Sequence, residues 1–156
     1  MTSADHDGEF GPVSIALVCS HFNRQLVDQL EAGARAALVE HGVDETRIDT
    51  FWVPGALEIP SAAKWVIDAG RHQAIVGIGV VLRGETYHFE VVSDQSAAGL
   101  MVLATSGDVV ITNAILTLDT LQQALDRAGG DLGNKGAEAA IAAVEMLALR
   151  RQITAG

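Results

Sequence analysis

A chain of 156 residues with twenty Asp and Glu against ten Lys and Arg carries a net charge of −10. That balance excludes nucleic acid and anionic membrane surfaces as partners, since both require a basic face that releases counterions. An apolar content of 49% fills one core at this length, and no apolar run reaches the span of a bilayer. Residues 1–12 read as a flexible, polar, Gly-containing segment without a targeting signature, so a single cytoplasmic domain is expected over 13–156.

The elements alternate between strand and helix. Residues 13–20 form an apolar strand that encloses the lone cysteine, Cys19, read as a small buried hydrophobe. Residues 23–41 place Leu26, Leu30, Ala34 and Leu38 at helical spacing before Gly42 stops the helix. A second strand spans 48–53, and Pro54-Gly55 turns the chain into a helix over 58–69 that ends at Gly70. The run from Ala74 to Leu82 is continuously aliphatic, as in a parallel strand buried on both faces. A helix over 87–105 follows, then a strand over 109–116. Thr120 to Gln123 reads as a capping box opening a short helix that ends at Gly129, and 136–152 is a long Ala-rich helix. This alternation predicts an α/β fold, a three-layer αβα sandwich around a central parallel sheet, with ligand sites at the carboxyl ends of the strands.

The most telling stretch is Gly79-Val80-Val81-Leu82-Arg83-Gly84-Glu85-Thr86-Tyr87-His88-Phe89-Glu90. A buried strand runs into Gly84, Thr86 suits a helix cap, Glu90 complements the helix dipole, and the N–H groups between Gly84 and His88 suit an anion. The spacing Gly79-x-x-x-x-Gly84-Glu85-Thr86 mimics a nucleotide-binding loop, but Glu85 stands where the phosphate lysine belongs, which excludes that class. His88 at the rim suits proton transfer near neutral pH, or equally a histidine that satisfies a backbone carbonyl. In so acidic a chain an anionic ligand needs a local cationic cluster, which directs attention to Arg83, Arg127 and Lys135.

Other candidates also fall at strand ends. Phe22 suits stacking on a planar ligand, or core packing. In Val53-Pro54-Gly55-Ala56-Leu57-Glu58-Ile59-Pro60, Gly55 allows close backbone approach and Glu58 can accept hydroxyls, or merely complement a helix dipole. Lys135 and Glu138 flank the start of the last helix, where the plain alternative is a surface ion pair. No histidine shows metal-ligand spacing, so no metal is expected. The helix over 87–105 is apolar or glycine continuously from Ala97 to Ala104, more than one core stripe, which predicts a homo-oligomer, with an ordinary buried helix as the plain alternative.

Taken together, Phe22-Asn23, Val53 to Pro60, Gly79 to Phe89, Leu116-Thr117, Gln123-Ala124, Arg127-Ala128-Gly129 and Asn134-Lys135-Gly136-Ala137-Glu138 resemble the lumazine synthase family in order and spacing. The resemblance implies a flavodoxin-like subunit, pentamers or icosahedral capsids of twelve pentamers, and active sites shared between neighbouring subunits. It implies condensation of 5-amino-6-(D-ribitylamino)uracil with 3,4-dihydroxy-2-butanone 4-phosphate to 6,7-dimethyl-8-ribityllumazine in riboflavin biosynthesis, with no cofactor. In this chain, it gives Phe22 the pyrimidine to stack on. Gly55, Ala56, Leu57 and Glu58 hold the pyrimidine and ribityl chain, and Val81 and Leu82 line the pocket. Glu85 and Thr86 donate to phosphate, with Arg127 of the adjacent subunit pairing with it. Lys135 supports that charge, Glu138 orients the cations, and His88 shuttles protons. Asn113 and Ala114 depart from the aromatic and glycine more usual there, and Glu85 adds a carboxylate beside the phosphate site. A riboflavin synthase of archaeal type, a flavin-binding module without turnover and a non-catalytic shell protein fit the motif set less well.

Overall fold

The computed structural model of the chain describes residues 11–155; most of the predicted N-terminal segment lies outside them. Four strands form one parallel sheet in the order β2-β1-β3-β4: β1 (Ile15–Ser20), β2 (Ile48–Val53), β3 (Ala74–Leu82) and β4 (Val110–Leu118). Helix α1 (Arg24–Glu40) links β1 to β2, α2 (Ile59–Ala69) links β2 to β3, and α3 (His88–Ser106) links β3 to β4. After β4 come α4 (Leu121–Arg127), the short strands β5 (Ala128–Gly130) and β6 (Gly133–Asn134), and α5 (Lys135–Ala155).

The layers follow from alternation along the central strands. Ile15, Leu17 and Cys19 of β1 face one way, into a core shared with Leu26, Val27 and Leu30 of α1 and Ala140, Ala143 and Val144 of α5. Ala16 and Val18 face the other way, against Ile59, Ala63 and Val66 of α2 and Leu100 of α3. Both faces of β1 and β3 are therefore covered, which is why their sequences show no polar alternation. The expected αβα sandwich is present. The order β2-β1-β3-β4 also reverses its winding at β1, opening a crevice between the carboxyl ends of β1 and β3.

Three local features depart from the sequence reading. The glycine-rich stretch between the end of the short helix and residue 136, to which the sequence assigns no element, pairs as an antiparallel β5–β6 hairpin, with an irregular register between Ala128 and Gly130. Strands of three and two residues built on glycine carry no hydrophobic alternation that a sequence could reveal. Asn23, expected inside α1, is instead its N-cap in the left-handed region at φ 60°. Lastly, α4 stops at Arg127, capped at its start by Thr120 and Gln123 as expected.

α1 and α5 cross closely. A Cβ on Gly136 would collide with the carbonyl oxygen of Leu30, so only glycine fits the first turn of α5 at this crossing. Asn134 fixes the same end: its Oδ1 accepts from Ala137 N at 3.0 Å and its Nδ2 donates to Gln29 O at 3.0 Å. The Asn134-Lys135-Gly136 motif thus holds Lys135 at a rigid helix start.

Candidate active site

A cleft of about 480 Å³ opens at the carboxyl ends of β1, β2 and β3, on the α2/α3 face of the sheet. Each strand contributes one wall. Past β1, Phe22 is 71% exposed at the rim, an exposure that excludes the core alternative. Its turn is anchored on both sides: Asn23 Nδ2 donates to Val80 O at 2.8 Å, and His21 N donates to Val53 O at 2.8 Å. On the outer flank, the Arg24 guanidinium lies 3.6 Å from the Trp52 ring centroid and 2.9 Å from His21 Nδ1, while His21 stacks on Trp52.

Past β2, Gly55, Ala56, Leu57 and Glu58 form the second wall, with Ala56–Glu58 in a 3₁₀ turn that runs into α2. Gly55 is extended at φ −143°, a conformation open to any residue. Its N–H donates to Glu58 Oε2 at 3.1 Å, so one oxygen of this carboxylate closes its own turn.

Past β3, Val81 and Leu82 form the floor, and Gly84, Thr86 and His88 the third wall. Thr86 does not cap α3 from the N-cap position, which is Tyr87; its Oγ1 accepts from His88 N at 3.3 Å. Exposed Glu85 lies outside the lining. The sequence reading did not assign Val80, Phe89 and Val92, which also line the cleft. The one-turn spacing of His88 and Val92 on α3 is the signal that would have found part of this wall.

Arg83, singled out above as a candidate anion holder, is already engaged. Its Nε donates to Asp119 Oδ1 at 2.6 Å, its Nη1 to Glu90 Oε1 at 2.5 Å, and its guanidinium carbon lies 4.3 Å from the Phe89 ring centroid. The two carboxylates hold its pKa above the ordinary guanidinium range, Asp119 foremost, and Arg83 in turn holds Glu90 below the usual carboxylate range.

The remaining predicted residues lie away from the cleft of their own chain. Asn113 is exposed on the edge strand β4, where its Oδ1 accepts from Ile115 N at 2.7 Å. Half-buried Arg127 ends α4, with Nη1 donating to Gln123 O at 3.0 Å. Lys135 Nζ and Glu138 Oε2 pair at 2.9 Å at the start of α5. Among the described residues, no group of three or more His, Cys, Asp or Glu could hold a metal ion, and no helix is long and apolar enough to cross a membrane.

Residues 12–151 match the sequence profile of the family described as 6,7-dimethyl-8-ribityllumazine synthase. The chain belongs to that family. Similar proteins of the same name include that of Kosmotoga olearia, 46% identical over 92% of each chain. That of Leuconostoc mesenteroides is 45% identical over 89% of each. That of Gemmatimonas aurantiaca is 47% identical over 86% of this chain and 82% of its own. Both the match and the first two relatives span nearly the whole chain, so the likeness covers every wall of the cleft as well as α4 and α5.

Proposed function

We propose that the Phe22 cleft is the pyrimidine-binding half of an active site that a second copy of the chain completes. The enzyme condenses 5-amino-6-(D-ribitylamino)uracil with 3,4-dihydroxy-2-butanone 4-phosphate to 6,7-dimethyl-8-ribityllumazine, releasing phosphate and water, a step of riboflavin biosynthesis. What supports the reading of the site is the convergence of three strand ends on one cleft, with a solvent-exposed aromatic at one rim and an imidazole at the other.

In this reading Phe22 stacks on the pyrimidine, and the Gly55 to Glu58 turn receives its polar edge and the ribityl hydroxyls, with the second Glu58 oxygen as acceptor. Val81 and Leu82 give the ring an apolar floor. The N–H groups between Gly84 and His88, that of Glu85 among them, with the hydroxyl of Thr86, receive the phosphate of the second substrate.

The substrate amine attacks the ketone of the butanone phosphate, and loss of water gives an imine between the two substrates. A proton leaves the hydroxyl-bearing carbon, phosphate is expelled by elimination, and the enol left behind tautomerises to a new carbonyl. Addition of the ribityl-bearing nitrogen to that carbonyl, with loss of a second water, closes the second ring. Each step moves a proton. His88 is placed to carry protons at the amine and at the carbon that loses its hydrogen, while holding both substrates together supplies much of the acceleration.

Arg127, Lys135, Glu138 and Asn113 lie off the cleft of their own chain, and we assign them to the cleft of a neighbouring subunit, which the resemblance implies for Arg127. Arg127 would pair with the phosphate, Lys135 would add positive charge, Glu138 would orient the cations, and Asn113 would close the wall over the pyrimidine. The exposed apolar face of α3, with Met101 62% and Val102 63% exposed, supports assembly. The expected assembly is a cytoplasmic homopentamer or a capsid of twelve pentamers. A native mass equal to the 16.3 kDa chain alone would contradict it. The site assignment is tested by titrating lumazine product into Phe22→Ala, for which affinity is expected to fall about tenfold while the fold is retained. Unchanged affinity would move the pyrimidine elsewhere.

A further inference from the structure

Arg83 stands out among the cations near the cleft because every contact it makes is internal. It does not line the cleft, yet it adjoins the loop 84–88 that does. Its backbone N–H donates to Leu118 O at 2.9 Å, fixing the last residue of the β3–β4 ladder. From that root its side chain reaches forward across the loop to Glu90 in the first turn of α3 and sideways to Asp119 just past β4. The segment from Gly84 to Phe89 is thereby closed into a ring by one ion pair, with Phe89 tucked under the guanidinium.

Charge gives this geometry a consequence. Glu90 and Asp119 stand beside a loop that, on the reading above, must accept a phosphate. Arg83 engages both at once, and only a forked guanidinium can do so while stacking on a ring. Without it, two uncompensated carboxylates would face the incoming anion and the loop would lose its closure.

The contacts also extend outward. Asp119 N and Thr120 N donate to Gln123 Oε1 at 2.8 Å and 3.3 Å, and Gln123 O accepts from Arg127. One connected set of contacts therefore runs from the His88 loop to the cation at the end of α4.

We propose that Arg83 is a positioning residue of the reaction: by bridging Glu90 and Asp119 it sets the loop 84–88 in the form that receives the phosphate of the second substrate and aims His88. This rests on the assignment of the phosphate to that loop, and it predicts a binding effect confined to the anionic substrate. The ribitylaminouracil is uncharged and meets the other walls of the cleft.

The test is steady-state kinetics on the assembled enzyme, with inorganic phosphate as a competing probe. In Arg83→Gln, KM for the butanone phosphate and the inhibition constant for phosphate are expected to rise together by about tenfold, the scale of one lost charge-assisted interaction. KM for the ribitylaminouracil is expected to stay within about twofold, and Arg83→Lys, which can satisfy one carboxylate, to fall between. Should Arg83→Gln fail to fold, the exposed Asp119→Asn keeps the Glu90 bridge and is expected to move the same two constants in the same direction by a smaller factor.

Equal rises in both KM values, or constants unchanged in Arg83→Gln and Asp119→Asn, would overturn the positioning role while leaving the loop as the phosphate site. Phosphate that fails to compete with the butanone phosphate in the wild-type enzyme would overturn the loop assignment, and the role of Arg83 with it.

Discussion

The side-chain amide of Asn23 donates to the carbonyl oxygen of Val80 at 2.8 Å, tying the turn that presents Phe22 to the strand that leads into the His88 loop. The two sides of the cleft are thus joined below its floor. Asn23 is also the one non-glycine residue at positive φ among the described residues, a conformation that asparagine tolerates better than most.

Two substitutions separate these contributions. Asn23→Gly keeps the backbone conformation and loses the hydrogen bond, at a cost of about 1 kcal/mol. Asn23→Ala loses the bond and adds left-handed strain of about 1–2 kcal/mol. Chemical denaturation should therefore rank wild type above Gly and Gly above Ala, with both variants binding lumazine more weakly because Phe22 is released. An alanine variant as stable as the glycine one would contradict the strain argument.

His88 is exposed at the cleft rim, with its backbone N–H held by Thr86. If it carries protons for a reaction whose substrates are already reactive, His88→Ala should lose roughly tenfold or more in turnover and keep measurable activity. Single-turnover kinetics would show this directly. An unchanged turnover would remove the imidazole from the mechanism.

Much of this architecture can be read from the chain. The β-branched run from Ala74 to Leu82 and the stripe of Leu26, Leu30, Ala34 and Leu38 identify β3 and α1 because both faces of one and one face of the other are buried. The Arg83 bridge is different in kind. Asp119 is separated from Arg83 by 36 positions and is brought to it only by the β3–β4 pairing, while Glu90, 7 positions on, is reached across an irregular loop, so no local periodicity links either to Arg83. Arg83 therefore reads in the sequence as a candidate for holding an anionic ligand and is paired with two carboxylates in the fold. The β5–β6 hairpin stayed hidden for another reason, since its geometry rests on glycines and not on a pattern of side chains.

Gly136 gives a test of packing in which two effects oppose each other. Glycine to alanine in a helix is ordinarily favourable by about 1 kcal/mol. Here the added methyl meets the backbone of Leu30, which cannot yield without moving α1. Overpacking costs of about 1–3 kcal/mol should win. Gly136→Ala is expected to be destabilised, with lower activity through displacement of Lys135. A stabilised variant would show that the crossing has slack.

Cys19 is fully buried, and desolvation, aided by the Glu31 carboxylate, pushes its thiol up from 9.0 to about 12. The unfolded chain then releases this proton near pH 9 and the folded chain does not, so folding is penalised as pH rises above 9. The contribution is constant below pH 9 and falls by up to about 1.4 kcal/mol per pH unit between 9 and 12. Denaturant titrations at pH 8 and pH 10 should show a larger loss for wild type than for Cys19→Ala. Equal losses would mean that the thiol ionises in the folded protein.

Mixing the purified protein with ribitylaminouracil and butanone phosphate, and following lumazine absorbance and fluorescence, tests whether this chain makes 6,7-dimethyl-8-ribityllumazine. Product is expected to form well above the uncatalysed rate, with release of inorganic phosphate in equal amount. A trace no faster than the protein-free background would contradict it.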